Sequence, residues 1–167
     1  TVSSVGERAL VSRLRSRITD VPGVKVGIGD DAAVVETASV SLVTTDVMVE
    51  GIHFDRALSP ARLIGRKALS VNLSDIGAMS GVPRYAVVNL CLPPDCPLEF
   101  FDGLYDGITE RAAEVGIGIV GGNLSATPGP ITVAITVLGN GDRAITRRGV
   151  QVGDLVVVTG ALGAAPE

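Results

Sequence analysis

Six carboxylates lie between Gly27 and Asp55: Asp30, Asp31, Glu36, Asp46, Glu50 and Asp55. The same window holds no lysine or arginine. Asp30 and Asp31 are adjacent in "GIGDDAAVVE", and two unit charges ~4 Å apart at an effective dielectric of about 20 oppose each other by roughly 4 kcal/mol. A solvated face normally mixes signs, so an uncompensated acidic stretch calls for a cation from elsewhere. Hard oxygen ligands select Mg²⁺ or Ca²⁺ over zinc. No EF-hand spacing is present, which leaves Mg²⁺ as the better match. A bound divalent ion would offset the repulsion of Asp30 and Asp31, with Gly27 and Gly29 supplying backbone freedom. An acidic turn capping a strand is the plainer alternative.

Three further stretches carry oxygen ligands or anion-binding glycines. "LVTTDVMVEGIHF" places Thr44, Thr45 and Asp46 at the end of an apolar strand, where successive oxygens could line a metal cleft. In "KALSVNLSDIGAM", Asn72 and Asp75 stand at i and i+3 of a helix and share a face. Leu69, Val71, Leu73, Ile76 and Met79 surround them, so both are expected near the core, where an unpaired carboxylate is expensive. A metal ligand or a helix-to-backbone hydrogen bond would each account for that placement. "GIVGGNLS" sets Gly121, Gly122 and Asn123 directly after a strand, a turn in which backbone N–H groups can approach a phosphate. There is no Walker GxxxxGK[ST], no kinase-type glycine loop and no GxGxxG.

The elements that must position these residues follow from periodicity. "SSVGERALVSRLRSRI" spaces Val5, Leu10, Val11 and Leu14 as one helical face. "VKVGIG", "AAVVE" and "VSLVTTDVMV" read as short strands. Ser59-Pro60 reads as an N-cap with proline at the first helical position, opening a helix to about Met79. "RYAVVNLCL" is a strand, Pro97 to Val115 a second long helix, and "IGIV", "ITVAITVLG" and "DLVVVTG" are further strands. In "ITVAITVLG", Ile131, Val133, Ile135 and Val137 alternate with Thr132, Ala134 and Thr136. Strands mixed with two long helices predict an α+β or α/β domain without internal repeats.

Composition narrows the function classes. The 167 residues are 46% hydrophobic with only 3% aromatic and no tryptophan, so the core must be built from Val, Ile, Leu and Ala. The net charge of −4 argues against a nucleic-acid surface. No apolar run approaches the ~18 residues of a membrane span, and no signal-peptide pattern opens the chain. Cys91 and Cys96 lack partner clusters and read as a reduced pair in the cytoplasm. A start at Thr1 and an end in "TGALGAAPE" read as a piece of a longer protein, cut beside a domain junction.

In series, "GERALVSRL", "GIGDDAAVV", "TTDVMVEGIHF", "KALSVNLSDIGAM", "GGN" and "AITRRGVQVGD" resemble the N-terminal half of the thiamine-monophosphate kinase family. That family sits within the aminoimidazole-ribonucleotide synthetase superfamily, and its relatives lack the Gly51-Ile52-His53-Phe54 signature. The resemblance implies an α+β (α/β sandwich) fold, a mixed sheet with flanking helices like the aminoimidazole-ribonucleotide synthetase N-terminal domain. Its strands would pair across a homodimer into a barrel. Residues 1–160 would form an ATP/Mg-binding domain and 161–167 the start of a junction to a C-terminal domain. The implied reaction moves phosphate from ATP to thiamine monophosphate. It would be assisted by several Mg²⁺ ions on Asp31, Thr44, Thr45, Asp46 and Asp75, with Asp30 as an alternate ligand. Tyr105, Gly122, Asn123 and Arg147 fall where the family contacts ATP, and His53 where it contacts substrate. Asn123 would also be a metal ligand; the family more often has Asp at that position, and Asn keeps the oxygen but brings no charge. Because the acceptor is itself an anionic phosphate, no general base is required. The rival readings are a sister ATP-using enzyme of the superfamily (of the selenophosphate synthetase, aminoimidazole-ribonucleotide synthetase or hydrogenase-maturation type), or a non-catalytic Mg-nucleotide-binding dimerisation module.

Overall fold

The apolar alternation in "ITVAITVLG" marks the centre of the molecule. In the computed structural model, which describes residues 2–19, 21–26, 28, 34–37 and 41–158, Val133, Ile135 and Val137 are at most 1% exposed. The intervening Thr132, Ala134 and Thr136 are only half-buried. That period of two is a strand with one covered face.

The elements in chain order are α1 (Val2–Val5), α2 (Glu7–Arg15), β1 (Val24–Val26), β2 (Val34–Val35), β3 (Ser41–Val49) and α3 (Ala61–Ala78). They continue with β4 (Val82–Leu92), α4 (Leu98–Val115), β5 (Gly118–Ala126) and β6 (Thr132–Asn140). β1 and β2 form a small antiparallel pair, and the main sheet has the order β3-β6-β4-β5. β4 and β5 are parallel, joined through α4, and the other neighbours are antiparallel. This is the expected α+β architecture, a mixed sheet with flanking helices.

α3 and α4 lie side by side, and two glycines let their backbones meet. A Cβ on Gly65 would overlap the Leu104 carbonyl oxygen, and one on Gly107 would overlap that of Arg62. Ile64, Ala68, Leu69 and Ile76 of α3 join Phe101, Leu104 and Ile108 of α4 in the core with the inner residues of β4 and β6. Leu10 and Leu14 bury one side of α2. Arg13 is paired with the Asp102 carboxylate (Nε to Oδ1 2.6 Å), and Arg17 reaches the same carboxylate at 3.1 Å.

Several boundaries differ from the sequence reading. The first helix is split at Gly6, whose φ of 79° breaks the helical path. Pro60 is the residue before α3 rather than its first, and Ser59 makes no side-chain cap. The strand expected at "IGIV" continues through Gly121, Gly122 and Asn123, so these three lie inside β5 and not in a turn beyond it. Residues 154–158 of "DLVVVTG" have no regular structure, and Leu155, Val156, Val157 and Val158 are all more than half exposed. A strand there would need a neighbouring strand, and none of the described residues provides one.

Candidate functional site

Strand alternation sorts the Thr44–Asp46 ligand set. Thr44 and Asp46 stand opposite Val137 and Ile135 of β6, whose side chains face the helices, so both point to that side at the sheet edge. Thr45 points to the other face, where its hydroxyl donates to the Ile135 carbonyl at 3.2 Å and accepts from Thr136 Oγ1 at 2.9 Å. Successive residues of one strand cannot line a single cleft with their side chains. Thr45 is thereby separated from the other two.

α3 supplies the opposing wall. Thr44 Oγ1 donates to Asp75 Oδ2 at 2.8 Å, joining the edge strand to the helix. Asp75 is exposed, contrary to the core position expected from its helical spacing. Asn72 takes the buried place instead: it is 0% exposed and its Nδ2 donates to the Ala68 carbonyl at 3.1 Å. Its Oδ1 has no partner among the described residues. The packed face of α3 is narrow, and i to i+3 turns the helix far enough to carry Asp75 out over β3. Neither Asp46 nor Asp75 has a cationic partner among the described residues. These residues hold no cluster of three or more acidic, histidine or cysteine side chains able to grip a metal. Asp30 and Asp31 lie outside the described residues.

At the other end of β3 a tight turn follows. Gly51 has φ 79°, and the His53 N–H donates to the Val49 carbonyl at 2.8 Å. The Val49 N–H in turn donates to His53 Nδ1 at 3.1 Å. Lys67, two helical turns before Asp75, donates from Nζ to the His53 carbonyl at 2.9 Å. The sequence reading did not single out Lys67. The available signal was its spacing, since Leu63, Lys67, Val71 and Asp75 recur every four residues on one stripe of α3. Two acids of the window are structural. Glu50 pairs with Arg56 and accepts the Ile131 N–H, and Asp55 Oδ1 accepts the Ala57 N–H at 2.8 Å.

The remaining candidates are elsewhere. Gly122 and Asn123 are exposed on β5, the opposite edge of the sheet. Asp46, Ile135, Val88 and Gly122 share one register line across all four strands, about 14 Å at ~4.8 Å per strand. A Cβ at Gly122, where φ is 156°, would overlap the Val88 carbonyl oxygen, so the backbone geometry of β5 itself calls for glycine there. Asn123 Nδ2 donates to Ser125 Oγ at 2.9 Å. Arg147 is exposed in the segment after β6, which the Ile145 N–H ties to the Met79 carbonyl just past the end of α3. Tyr105 is a core residue, 3% exposed and 5.1 Å from the Phe101 ring centroid, and burial pushes its hydroxyl's pKa up.

The family of AIR synthase related proteins, N-terminal domain, matches residues 29–140. The chain belongs to this family. Among curated relatives, the AIR-synthase-related chain is 40% identical to the thiamine-monophosphate kinase of Rhodopirellula baltica over 166 residues, 94% of this chain and 52% of that protein. It is 36% identical to that of Aquifex aeolicus, covering 97% and 51%. Of solved structures, the thiamine-monophosphate kinase of Stenotrophomonas maltophilia superposes with a TM-score of 0.74 at 32% identity, over 87% of this chain and 46% of that one. AaThiL complexed with AMPPCP and TMP gives 0.67 at 34%, over 92% and 48%. The hydrogenase maturation protein HypE, at 20% identity and 0.67, shares the fold. The chain spans about half the length of the curated relatives it matches.

Proposed function

We propose that this chain is the nucleotide-and-metal-binding portion of a thiamine-monophosphate kinase, which transfers the γ-phosphoryl group of ATP to thiamine monophosphate. The observation that carries the reading is the Thr44–Asp75 hydrogen bond between β3 and α3, with Asp46 on the same side of the sheet and no cation beside either acid among the described residues. The similarity to thiamine-monophosphate kinases at 36–40% identity supports it, as does the likeness to AaThiL complexed with AMPPCP and TMP.

The donor set fits Mg²⁺. It consists of oxygens alone, it is open to solvent, and its carboxylates are uncompensated. Asp46, Asp75 and Thr44 would hold the ion, with Asp30, Asp31 and the Thr45 backbone oxygen as further ligands. Bound there, Mg²⁺ would neutralise phosphate charge and hold the phosphates in line. The chain's own part is positional. The Thr44 hydroxyl fixes one Asp75 oxygen and leaves the other free, and the α3/α4 contact at Gly65 and Gly107 fixes the spacing of α3 from α4. Gly122, Asn123 and Arg147, all exposed, remain open to nucleotide, whereas Tyr105 contributes packing.

The open face of the sheet supports a homodimer. Val43 is 67% exposed and Val47 49%, on the side that no helix among the described residues covers. Pairing of two such faces would hide them. No helix among the described residues is long and apolar enough to cross a membrane, and a cytoplasmic site is part of the proposal. The test is product formation by the full-length protein: thiamine diphosphate and ADP should appear in equal amounts from thiamine monophosphate, ATP and Mg²⁺. ADP released without thiamine diphosphate would refute the assignment.

A further inference from the structure

We infer that Glu50 is a positioning residue: its carboxylate completes the last rung between β3 and β6 and, through Arg56, latches the turn Gly51–Phe54 in place. In taking that turn as part of the acceptor's site this rests on the kinase reading; the latch itself rests on geometry.

The register of β3 against β6 ends at Val49 and Thr132, so the next opposed pair is Glu50 and Ile131. In an antiparallel ladder a pair of the hydrogen-bonded kind exchanges two backbone N–H···O bonds. Here the Glu50 N–H donates to the Ile131 carbonyl at 2.9 Å, but the Ile131 N–H donates to Glu50 Oε2 at 3.2 Å. The side chain takes the place of its own carbonyl. The backbone is thereby free to leave the ladder at once: Gly51 follows with φ 79°, and its N–H donates to the Phe54 carbonyl at 2.8 Å. Ile131 is 0% exposed, so loss of the carboxylate would leave its N–H a buried donor away from water.

The other carboxylate oxygen reaches forward along the chain. Glu50 Oε1 accepts from Arg56 Nε, and the Glu50 side chain is only 19% exposed. The Arg56 guanidinium in turn lies 5.6 Å from the centroid of the Phe100 ring, in the first turn of α4. One carboxylate therefore joins the residue before β6, the turn after β3 and, through Arg56, the start of α4. Glu50 and Arg56 bracket the turn, one just before Gly51 and the other two residues past Phe54, so their pairing holds its two ends together. Inside it the His53 N–H donates to the carbonyl of Val49, the residue before Glu50, at 2.8 Å. A turn fixed in this way is set before any ligand arrives, and a ligand that meets it does not have to order it.

The experiment compares Glu50→Ala, Glu50→Gln, Arg56→Met and the double variant Glu50→Gln/Arg56→Met with wild type, all as full-length protein. Amide hydrogen exchange is read first, without ligands. Glu50→Ala should speed exchange at Ile131 and at Gly51, Ile52 and His53, and Arg56→Met should speed it at the turn alone. Turnover is read second. A turn in place only about a tenth of the time raises the KM for thiamine monophosphate about tenfold, because saturating acceptor selects the competent form. Glu50→Gln and Arg56→Met should each do this with kcat and the KM for ATP unchanged. The double variant should match either single one, since both break the same pair. Glu50→Gln keeps an oxygen for the Ile131 N–H, so it should melt close to wild type. Unchanged exchange at the turn in Arg56→Met, additive effects in the double variant, or a KM for thiamine monophosphate equal to that of wild type would overturn the proposal. If the wild type makes no thiamine diphosphate, the kinase reading fails by itself, and the exchange measurement still decides the latch.

Discussion

Replacing Gly107 by alanine should destabilise the protein, although helix propensity alone argues the reverse. Alanine is favoured over glycine inside a helix by about 1 kcal/mol. Gly107 sits in α4 against the first turn of α3, where a Cβ would overlap the Arg62 carbonyl oxygen and stand 2.8 Å from its carbon and 3.0 Å from the Arg66 nitrogen. Carbon atoms rest at ~3.5 Å or beyond, so α4 must retreat by roughly 0.7 Å or more. No flexible side-chain end can yield, because the obstacle is backbone. Overpacking costs about 1–3 kcal/mol, and a backbone-on-backbone clash belongs at the upper end. About 3 less 1 leaves a net loss of about 2 kcal/mol. At about 2–4 °C per kcal/mol for a chain this long, the melting temperature should fall by about 4–8 °C. Gly77→Ala is the internal control: it lies in α3 with nothing within 4 Å of the added carbon, and it should raise stability by up to ~1 kcal/mol. Calorimetry on the two variants checks both signs. An unchanged or higher melting temperature in Gly107→Ala would refute the argument that close backbone contact sets the position of α3.

Thr44→Val should leave the melt nearly unchanged but raise the KM for Mg-ATP severalfold, since it removes the hydroxyl that orients Asp75; unchanged kinetics would detach Thr44 from the site. Asp102→Asn should lower the melting temperature at neutral pH, because Arg13 and Arg17 hold the Asp102 carboxyl below its usual range. That stabilisation is present above the unfolded value of about 3.9 and is lost as pH falls through the lowered folded value, so the two melting curves should converge in acid. The Tyr105 hydroxyl is shifted the other way by burial. Its contribution is complete below about pH 10 and is lost as pH rises beyond it, so Tyr105→Phe should resist alkaline unfolding better than wild type. Val43→Lys should yield monomers by light scattering if the open sheet face is the dimer contact, and persistent dimers would place that contact elsewhere.

The strands and helices of the main sheet were legible in the sequence because each carries one strong period. β6 alternates every two residues, and α3 and α4 repeat apolar residues every three or four. What failed was finer. Reading "GIVGG" as a strand that stops at its glycines treated Gly122 as a turn residue, whereas it is needed inside β5 for contact with Val88. Helical spacing put Asn72 and Asp75 on one face but could not say how wide the buried part was, and only Asn72 went in. The run of oxygens at Thr44, Thr45 and Asp46 did not say which side chain faces which way, and the alternation of β3 sends that of Thr45 to the far side of the sheet. Lys67 was invisible to motif reading because its hydrogen bond to the backbone carbonyl of His53 exists only once α3 folds back along β3.

The central claim is that the Asp75 carboxylate, held over the sheet edge by Thr44, carries the metal-assisted transfer. It is tested most directly by the turnover of Asp75→Asn in the full-length protein at saturating Mg-ATP and thiamine monophosphate. The substitution keeps the size and an oxygen for Thr44, so folding should be unaffected. The account predicts a kcat lower by about 10² or more, the scale of losing one group that neutralises developing charge, with an unchanged melting temperature. Turnover within a few-fold of wild type would contradict it.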